Sequence, residues 1–455
     1  MRVLGLDLLD AALTGAVGGE LRFRERGCAL AMDGEWRFGQ RALAQARRYP
    51  RRLQARYWRA LGDEPLPGQP DCTAADLAHA QLAALWAQHG RDCDAVVLAI
   101  PACWSVAQLG LLLGICEELG MPVRGLVDRR VAGLRREYQG RTVLLLEASL
   151  HAAGISPIHQ ADGSEAGREE VVDGAGIDAL ERAVVEAIAE AFVREARFDP
   201  LHHADSEQFV YDCLPEWLAA LRRQAELPLA LVHAGHEFRA RVDREAVAER
   251  VRAAWQPLLQ RLRSLQPAGR PTALLLPGDL PDIPGVTAAL AALPSLELII
   301  VDPAAAAIGA ARERLLQPPG EGYQLRRRMP WDQPPLPPPT QPAGGRLQAP
   351  THLIYESRAY PLGERPVKIG SRLDPGDFGI ELGERVAGVS RQHCSVQRDG
   401  ERVLLTDHSR YGTRLNGHPI SGSAVLQAGD LITLGSPERE FLLVAEAIPD
   451  GKAAV

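Results

Sequence analysis

The stretch that most constrains this chain runs from Gly388 to Gly417. It reads GVSRQHCSV, then a short insert, then LLTDHSRYGTRLNG. Two polar clusters stand in it, Ser390-Arg391-x-His393 and Ser409-Arg410-Tyr411-Gly412-Thr413, and Asn416-Gly417 closes the second. Between them Cys394–Gln397 and Arg402–Leu405 alternate with period two, broken by Asp399-Gly400, which predicts strand, hairpin turn, strand. Small polar and cationic groups recurring at strand ends place loops along one edge of a β-sandwich. There a hydroxyl, N–H donors and guanidinium groups can surround an anion. A sandwich whose loops are merely polar is the alternative that this pattern leaves open.

The chain of 455 residues has room for two or three domains with ample core. Apolar and charged fractions of 46% and 24% are those of a soluble globular protein. A net charge of −7 argues against general nucleic-acid affinity, because no basic surplus exists to displace counterions. Seven cysteines, odd in number and without metal-type spacing, point to a reduced, cytoplasmic setting and to no metal site. Acids at Asp7 and Asp10 interrupt what would be the apolar core of a signal peptide, and no apolar run is long enough to insert into a membrane. Only Lys368 and Lys452 are lysine; the remaining basic residues are arginine.

Residues 1–316 alternate apolar strand-like runs with amphipathic helical ones, the signature of an α/β domain around a buried sheet. Strands are predicted at 3–7, 95–101, 123–127, 142–146, 273–276 and 296–301. Helices are predicted at 105–119, 177–195, 244–265, 287–293 and 304–316, with a helix-prone, arginine-rich stretch at 38–61. Residues 317–350 carry ten prolines and few aliphatic residues, so they read as a polyproline II spacer. An all-β domain follows at 351–446, then a tail at 447–455.

The C-terminal motifs together resemble the forkhead-associated (FHA) domain, a phosphothreonine-binding β-sandwich. Ile369-Gly370, the SRxH and D-x-S-x-x-G-T motifs, Asn416-Gly417 and Gly429-Asp430-x-Ile432-x-Leu434-Gly435 keep that family's order from Thr351 to Ala445. The resemblance implies that Ser390 bonds the phosphate and that His393 braces its loop from inside. Gly370, Gly412 and Gly417 would shape the loops. Arg391, Arg410, Tyr411, Thr413 and Asn416 would line the ligand. Two positions depart from the family. Its Gly-Arg pair is Gly370-Ser371 here, with Arg372 one place late, and the asparagine that holds the ligand backbone is Tyr411. Arg372, Arg391 and Arg410 are the residues that would restore positive charge.

The first 315 residues resemble the nucleotide-binding domain of the seventy-kilodalton heat-shock chaperones (DnaK type), within the actin-like, ribonuclease H-like ATPase superfamily. Ala99-Ile100-Pro101-Ala102-Cys103-Trp104, Gly120-Met121-Pro122-Val123, Asp128-Arg129-Arg130-Val131-Ala132-Gly133-Leu134, Leu276-Pro277-Gly278 with Ile283-Pro284-Gly285, and Asp302-Pro303 with Ile308-Gly309-Ala310-Ala311 follow its order. The chemistry departs from it. The first phosphate loop is Asp7-Leu8-Leu9-Asp10-Ala11, the second is Glu147-Ala148-Ser149-Leu150-His151-Ala152, and no lysine precedes Lys368. Glycines that would let backbone amides approach phosphates are gone, and so is the cation beside the γ-phosphate.

Asp7, Asp128, Glu147 and Gly278 are therefore read as a vestigial nucleotide site, or else as acids at strand ends facing solvent. The reading is a pseudo-ATPase with no catalytic residues and no cofactor, ATP with Mg²⁺ being at most residual. The expected function is that of a cytoplasmic, bacterial-type signalling adaptor. It binds a phosphothreonine-containing protein and depends on an upstream Ser/Thr kinase. The alternatives are a divergent ATP-dependent chaperone-like protein regulated by phosphorylation, and a phosphate-independent scaffold.

Overall fold

Six consecutive buried residues, Ala95–Ile100, mark the centre of the first of two sheets around which the N-terminal unit is built. The computed structural model describes the chain apart from residues 268–270, 319–321, 339–348, 357, 384–385, 401, 416–417, 421, 429, 436–438 and 446–455, and the side chains of residues 313, 418 and 419. It divides into two units, residues 1–266 with 271–338, and residues 339–455 with 267–270. No helix among the described residues is long and apolar enough to cross a membrane.

In the first sheet Val3–Asp7 folds back antiparallel through Leu13–Val17 to Glu20–Glu25, and takes Ala95–Ile100 and then Val123–Asp128 as parallel neighbours on its other side. The second sheet repeats this plan. Thr142–Ala148 folds back antiparallel onto Ala152–Gln160, and takes Thr272–Pro277 and Leu296–Val301 as parallel neighbours. Parallel strands need crossover connections, so helices cover these runs and explain why they read as continuously apolar. Val106–Glu118 is one such helix. It opens with a capping box in which Ser105 accepts from the Gln108 N–H and Gln108 accepts from the Ser105 N–H.

Two predicted helices differ in detail. Residues 244–265 form Arg244–Ala254 and Gln256–Leu265, broken at Trp255. Pro257 has no N–H to continue the ladder, and the turn lets the buried Trp255 indole donate to the Ala175 carbonyl at 3.0 Å. Of the stretch 38–61 only Gly39–Leu43 is α-helical. Pro50 starts a separate 3-10 turn. Arg47 and Arg48 are engaged by the helix Ala204–Leu221, through Gln208 Oε1 at 2.9 Å and Asp205 at 2.6 Å.

The proline-rich spacer read over residues 317–350 is corrected over its first part, because residues 317–318 and 322–338 fold onto the first unit. Leu325–Arg326 adds a parallel strand beside Val123–Asp128, and Arg328–Met329 adds an antiparallel one beside Ser164–Ala166. One strap thereby extends both sheets. Met329 is 1% exposed, the Trp331 indole donates to Ser164 Oγ at 2.9 Å, and Asp332 pairs with Arg135 at 2.9 Å and Arg312 at 3.4 Å. Prolines lack a donor but keep an acceptor. Arg314 and Arg141 use this, donating to the carbonyls of Pro330 and Pro337 at 3.0 and 2.6 Å. Residues 339–348 lie outside the described part of the chain.

The second unit is a sandwich of a six-stranded and a five-stranded sheet. Val367, Ile369, Cys394, Val396, Val403 and Leu405 face Leu353, Ile432, Leu434, Phe441 and Leu443 in its core. Cys394–Asp399 and Arg402–Asp407 form the hairpin that the alternating sequence predicts, with Cys394 opposite Asp407.

Shortening the first unit from residue 338 to residue 316 should lower its melting temperature by more than about 5 °C, at roughly 2–4 °C per kcal/mol for a unit of this size. Differential scanning calorimetry of the two forms checks this. An unchanged transition would return residues 317–338 to the role of a spacer.

Candidate functional site

The loop that carries Ser390 and Arg391 lies flat against the end of strand Val367–Gly370. A Cβ on Gly370 would sit 1.8 Å from the Arg391 carbonyl oxygen, so only glycine allows the approach. Beyond it, the N–H groups of Ser371 and Arg372 donate to the carbonyls of Ser390 and Arg391 at 3.0 and 3.3 Å.

His393 ties this loop to the next. It is fully buried, and its Nδ1 accepts from the Ser390 N–H at 3.1 Å. The single ring proton therefore sits on Nε2, which donates to the Gly412 carbonyl at 3.2 Å. Burial pushes the imidazole pKa down and keeps the ring neutral, while the Gly412 carbonyl works the other way.

The second loop is built around Asp407. Its Oδ1 accepts from the Ser409 N–H at 3.0 Å and from the Thr413 hydroxyl at 2.8 Å. Burial opposes the charge, yet these hydrogen bonds hold the carboxyl below its ordinary range. Ser409 Oγ accepts from the Gly412 N–H at 2.7 Å, and Gly412 takes the left-handed φ of 84° that the turn requires. Thr413 is 0% exposed with its hydroxyl on Asp407. It supports the loop and does not line a ligand surface, which corrects its place in the sequence reading. Asp407 and Ser409 are the supports that reading left out, although the D-x-S spacing contained them. Asn416 and Gly417 lie outside the described residues.

What remains at the surface is cationic. The Arg410 N–H donates to Ser390 Oγ at 3.2 Å, which leaves the Ser390 hydroxyl proton free to donate to a ligand. The backbones of Arg372 and Arg410 each lie one hydrogen bond from the Ser390–Arg391 pair. The guanidinium groups of Arg372, Arg391 and Arg410 are exposed and make no hydrogen bond or ion pair among the described residues. Neighbouring acids are occupied elsewhere, Asp374 by Gln392 at 2.8 Å and Glu381 by the Leu373 N–H at 3.1 Å. Tyr411 is 69% exposed beside them. A hydroxyl donor beside the backbones of three arginines with uncommitted side chains is an arrangement that can take an oxyanion.

Residues 367–435 match the profile of a family described as FHA domain. This stretch is an FHA domain. No curated protein matches the chain. The FHA match covers the strands, both loops and the cation-rich edge just described, and does not extend to the first unit.

In that unit Asp7, Asp128 and Glu147 are 1%, 4% and 6% exposed, so they are not acids facing solvent. Arg129 stands between two of them, its Nε donating to Asp7 at 2.7 Å and its terminal nitrogen to Glu147. Arg130 holds Asp128 through two bonds of 3.0 and 2.6 Å. Gly278 ends the strand Thr272–Pro277 against Pro303, and the next residue, Asp279, pairs with Arg24 at 2.5 Å. Arg26 pairs with Glu181, also at 2.5 Å. Asp7, Glu147 and Asp128 are thus neutralised by the chain's own arginines. The sequence signal for this was Arg129-Arg130 directly after Asp128.

His393 makes the stability of the FHA unit depend on pH. The folded ring resists protonation, so the unfolded chain takes the proton first, near the ordinary histidine value of about 6.5. The contribution is complete above that pH and is lost as pH falls through the depressed folded value. The urea midpoint of the wild-type unit should therefore fall from pH 7.5 to pH 5, with a shallower fall in His393→Gln. Parallel pH profiles would assign the effect to other groups.

Proposed function

We propose that this protein is a phosphothreonine-dependent adaptor, with the FHA domain as its reader and the first unit as a chaperone-like pseudo-ATPase platform. The observation that carries the reading is the Ser390 hydroxyl, free to donate, with the uncommitted Arg372, Arg391 and Arg410 rooted by their backbones beside it. Forked guanidinium donors match a dianionic phosphate in charge and geometry. A Ser/Thr kinase supplies the mark upstream, on a partner in the cytoplasm. The chain needs no cofactor for this.

The wild-type chain should prefer a phosphothreonine peptide to the same peptide with threonine, measured by fluorescence anisotropy. Ser390→Ala removes a hydrogen bond to a charged group, worth about 1.5–3 kcal/mol, and should weaken binding by roughly 10- to 150-fold. Arg391→Ala and Arg410→Ala should weaken it with a salt dependence that the serine variant lacks. Equal affinity for the two peptides would leave the phosphate-independent scaffold as the better reading.

For the first unit, two sheets on one strand plan support an actin-like core, and Arg129 supports loss of the ATPase chemistry. A guanidinium already neutralises Asp7 and Glu147, so those acids offer little to a nucleotide-bound cation. ATP with Mg²⁺ should then leave the melting temperature unchanged. A ligand at about a hundred times its Kd would add roughly 2.7 kcal/mol and shift the transition visibly. Such a shift would favour the divergent ATP-dependent chaperone.

A further inference from the structure

A pocket in the first unit, between the loops at residues 7–11 and 147–152, takes no part in the phosphopeptide reading. It opens where the loops after strands Val3–Asp7 and Ala95–Ile100 meet the second sheet. Its walls are apolar: Leu8 and Trp58 are 1% exposed, and Trp104 stacks on Trp58 with ring centroids 6.3 Å apart and planes within 6°. Val171, 46% exposed, also lines it, so solvent reaches the pocket.

Three carboxyl-bearing residues line the same space, Asp10, Glu147 and Glu169, together with Arg59, and Glu147 is already held by Arg129. Asp10 is 4% exposed. Its Oδ1 accepts from the Leu150 N–H at 3.0 Å, while its Oδ2 is buried with no hydrogen-bond partner among the described residues. Glu169 lies over the backbone of Gly154, where a Cβ would come within 2.2 Å of Oε1. Burial pushes the Asp10 and Glu169 carboxyls above the ordinary range, against the pull of nearby cations. Those cations are committed elsewhere. Arg59 pairs with Asp173 at 3.2 Å, Arg130 with Asp128 at 2.6 Å and His151 with Asp178 at 2.8 Å, while Arg129 is held by Asp7 and Glu147.

A buried carboxyl with an unpartnered oxygen and a half-buried one, neither ion-paired among the described residues and both lining a pocket with two indole rings, are the complement of a positive charge on an apolar body, since a charge held near an aromatic face and paired with a carboxylate regains what desolvation costs it. A metal ion fits this set poorly, because no group of three or more His, Cys, Asp or Glu among the described residues converges on one point. We propose that this pocket binds a small organic cation, an ammonium group on a compact aromatic or aliphatic body. The charge meets Asp10 and Glu169, and the body lies against Trp104. The inference does not depend on the phosphopeptide reading.

Calorimetric titration of the full chain with benzylamine and with benzyl alcohol, the same ring without the charge, tests it. Benzylamine should bind saturably and at least about tenfold tighter than the alcohol, the factor that a hydrogen bond to a charged group commands. Glu169→Gln and Asp10→Asn should each erase most of that preference, and Trp104→Ala should weaken both ligands. Asn retains the acceptor for Leu150, and Glu169→Gln provides an independent check should Asp10→Asn fold poorly. Phosphothreonine-peptide binding should be unchanged in all three variants. Equal affinity for the two probes, a preference that survives both acid variants, or no saturable binding of benzylamine would overturn the proposal.

Discussion

Arg129 joins the two sheets of the first unit at the ends of their central strands. Asp7 closes Val3–Asp7 and Glu147 lies near the end of Thr142–Ala148, and one guanidinium bonds both. Two buried carboxylates at that point would repel each other and lose their hydration. A cation placed between them offsets both penalties, and its removal would leave two buried charges with no partner. The halves of the unit can face each other because the positive charge comes from the chain itself. Arg24 with Asp279 and Arg26 with Glu181 repeat the device farther along, each joining residues far apart in sequence.

The FHA domain uses the same residue type in the opposite way. There Arg372, Arg391 and Arg410 are rooted next to Ser390 and make no side-chain bond among the described residues, while the loops are held from inside by other groups. His393 contributes one donor and one acceptor, Asp407 accepts twice, and Thr413 and Ser409 complete the inner ring. The supporting groups are committed, His393 and Thr413 fully buried and Asp407 and Ser409 half-buried, while the three arginine side chains are uncommitted and exposed. This division lets the surface charges change, as Gly370-Ser371-Arg372 and Tyr411 show, without loosening the loops that hold them.

Much of this was legible in the sequence where a local rule governs. Period-two alternation located the hairpin at 394–407, and six buried aliphatic residues in a row announced Ala95–Ile100. The Ser105 cap and Gly120 bracketed the helix between them. The unread parts depend on partners distant in sequence. Nothing local says that Arg47 and Arg48 turn toward Ala204–Leu221, or that Trp255 turns its indole to Ala175. Thr413 looked like a ligand residue because its motif does not say which hydroxyls point inward. The strap misled for a chemical reason. A proline count measures lost donors and overlooks retained carbonyls, and it was carbonyls that Arg141 and Arg314 bound.

That strap also depends on both sheets. Leu325–Arg326 adds to a sheet begun by residues 3–7, and Arg328–Met329 adds to a sheet begun by residues 142–148. Leu325–Arg326 has a partner once the first sheet exists and Arg328–Met329 once the second does, so the strap is complete only when both sheets are in place. The segment Leu325–Met329 therefore ties two sheets, begun far earlier in the chain, to each other through five consecutive residues.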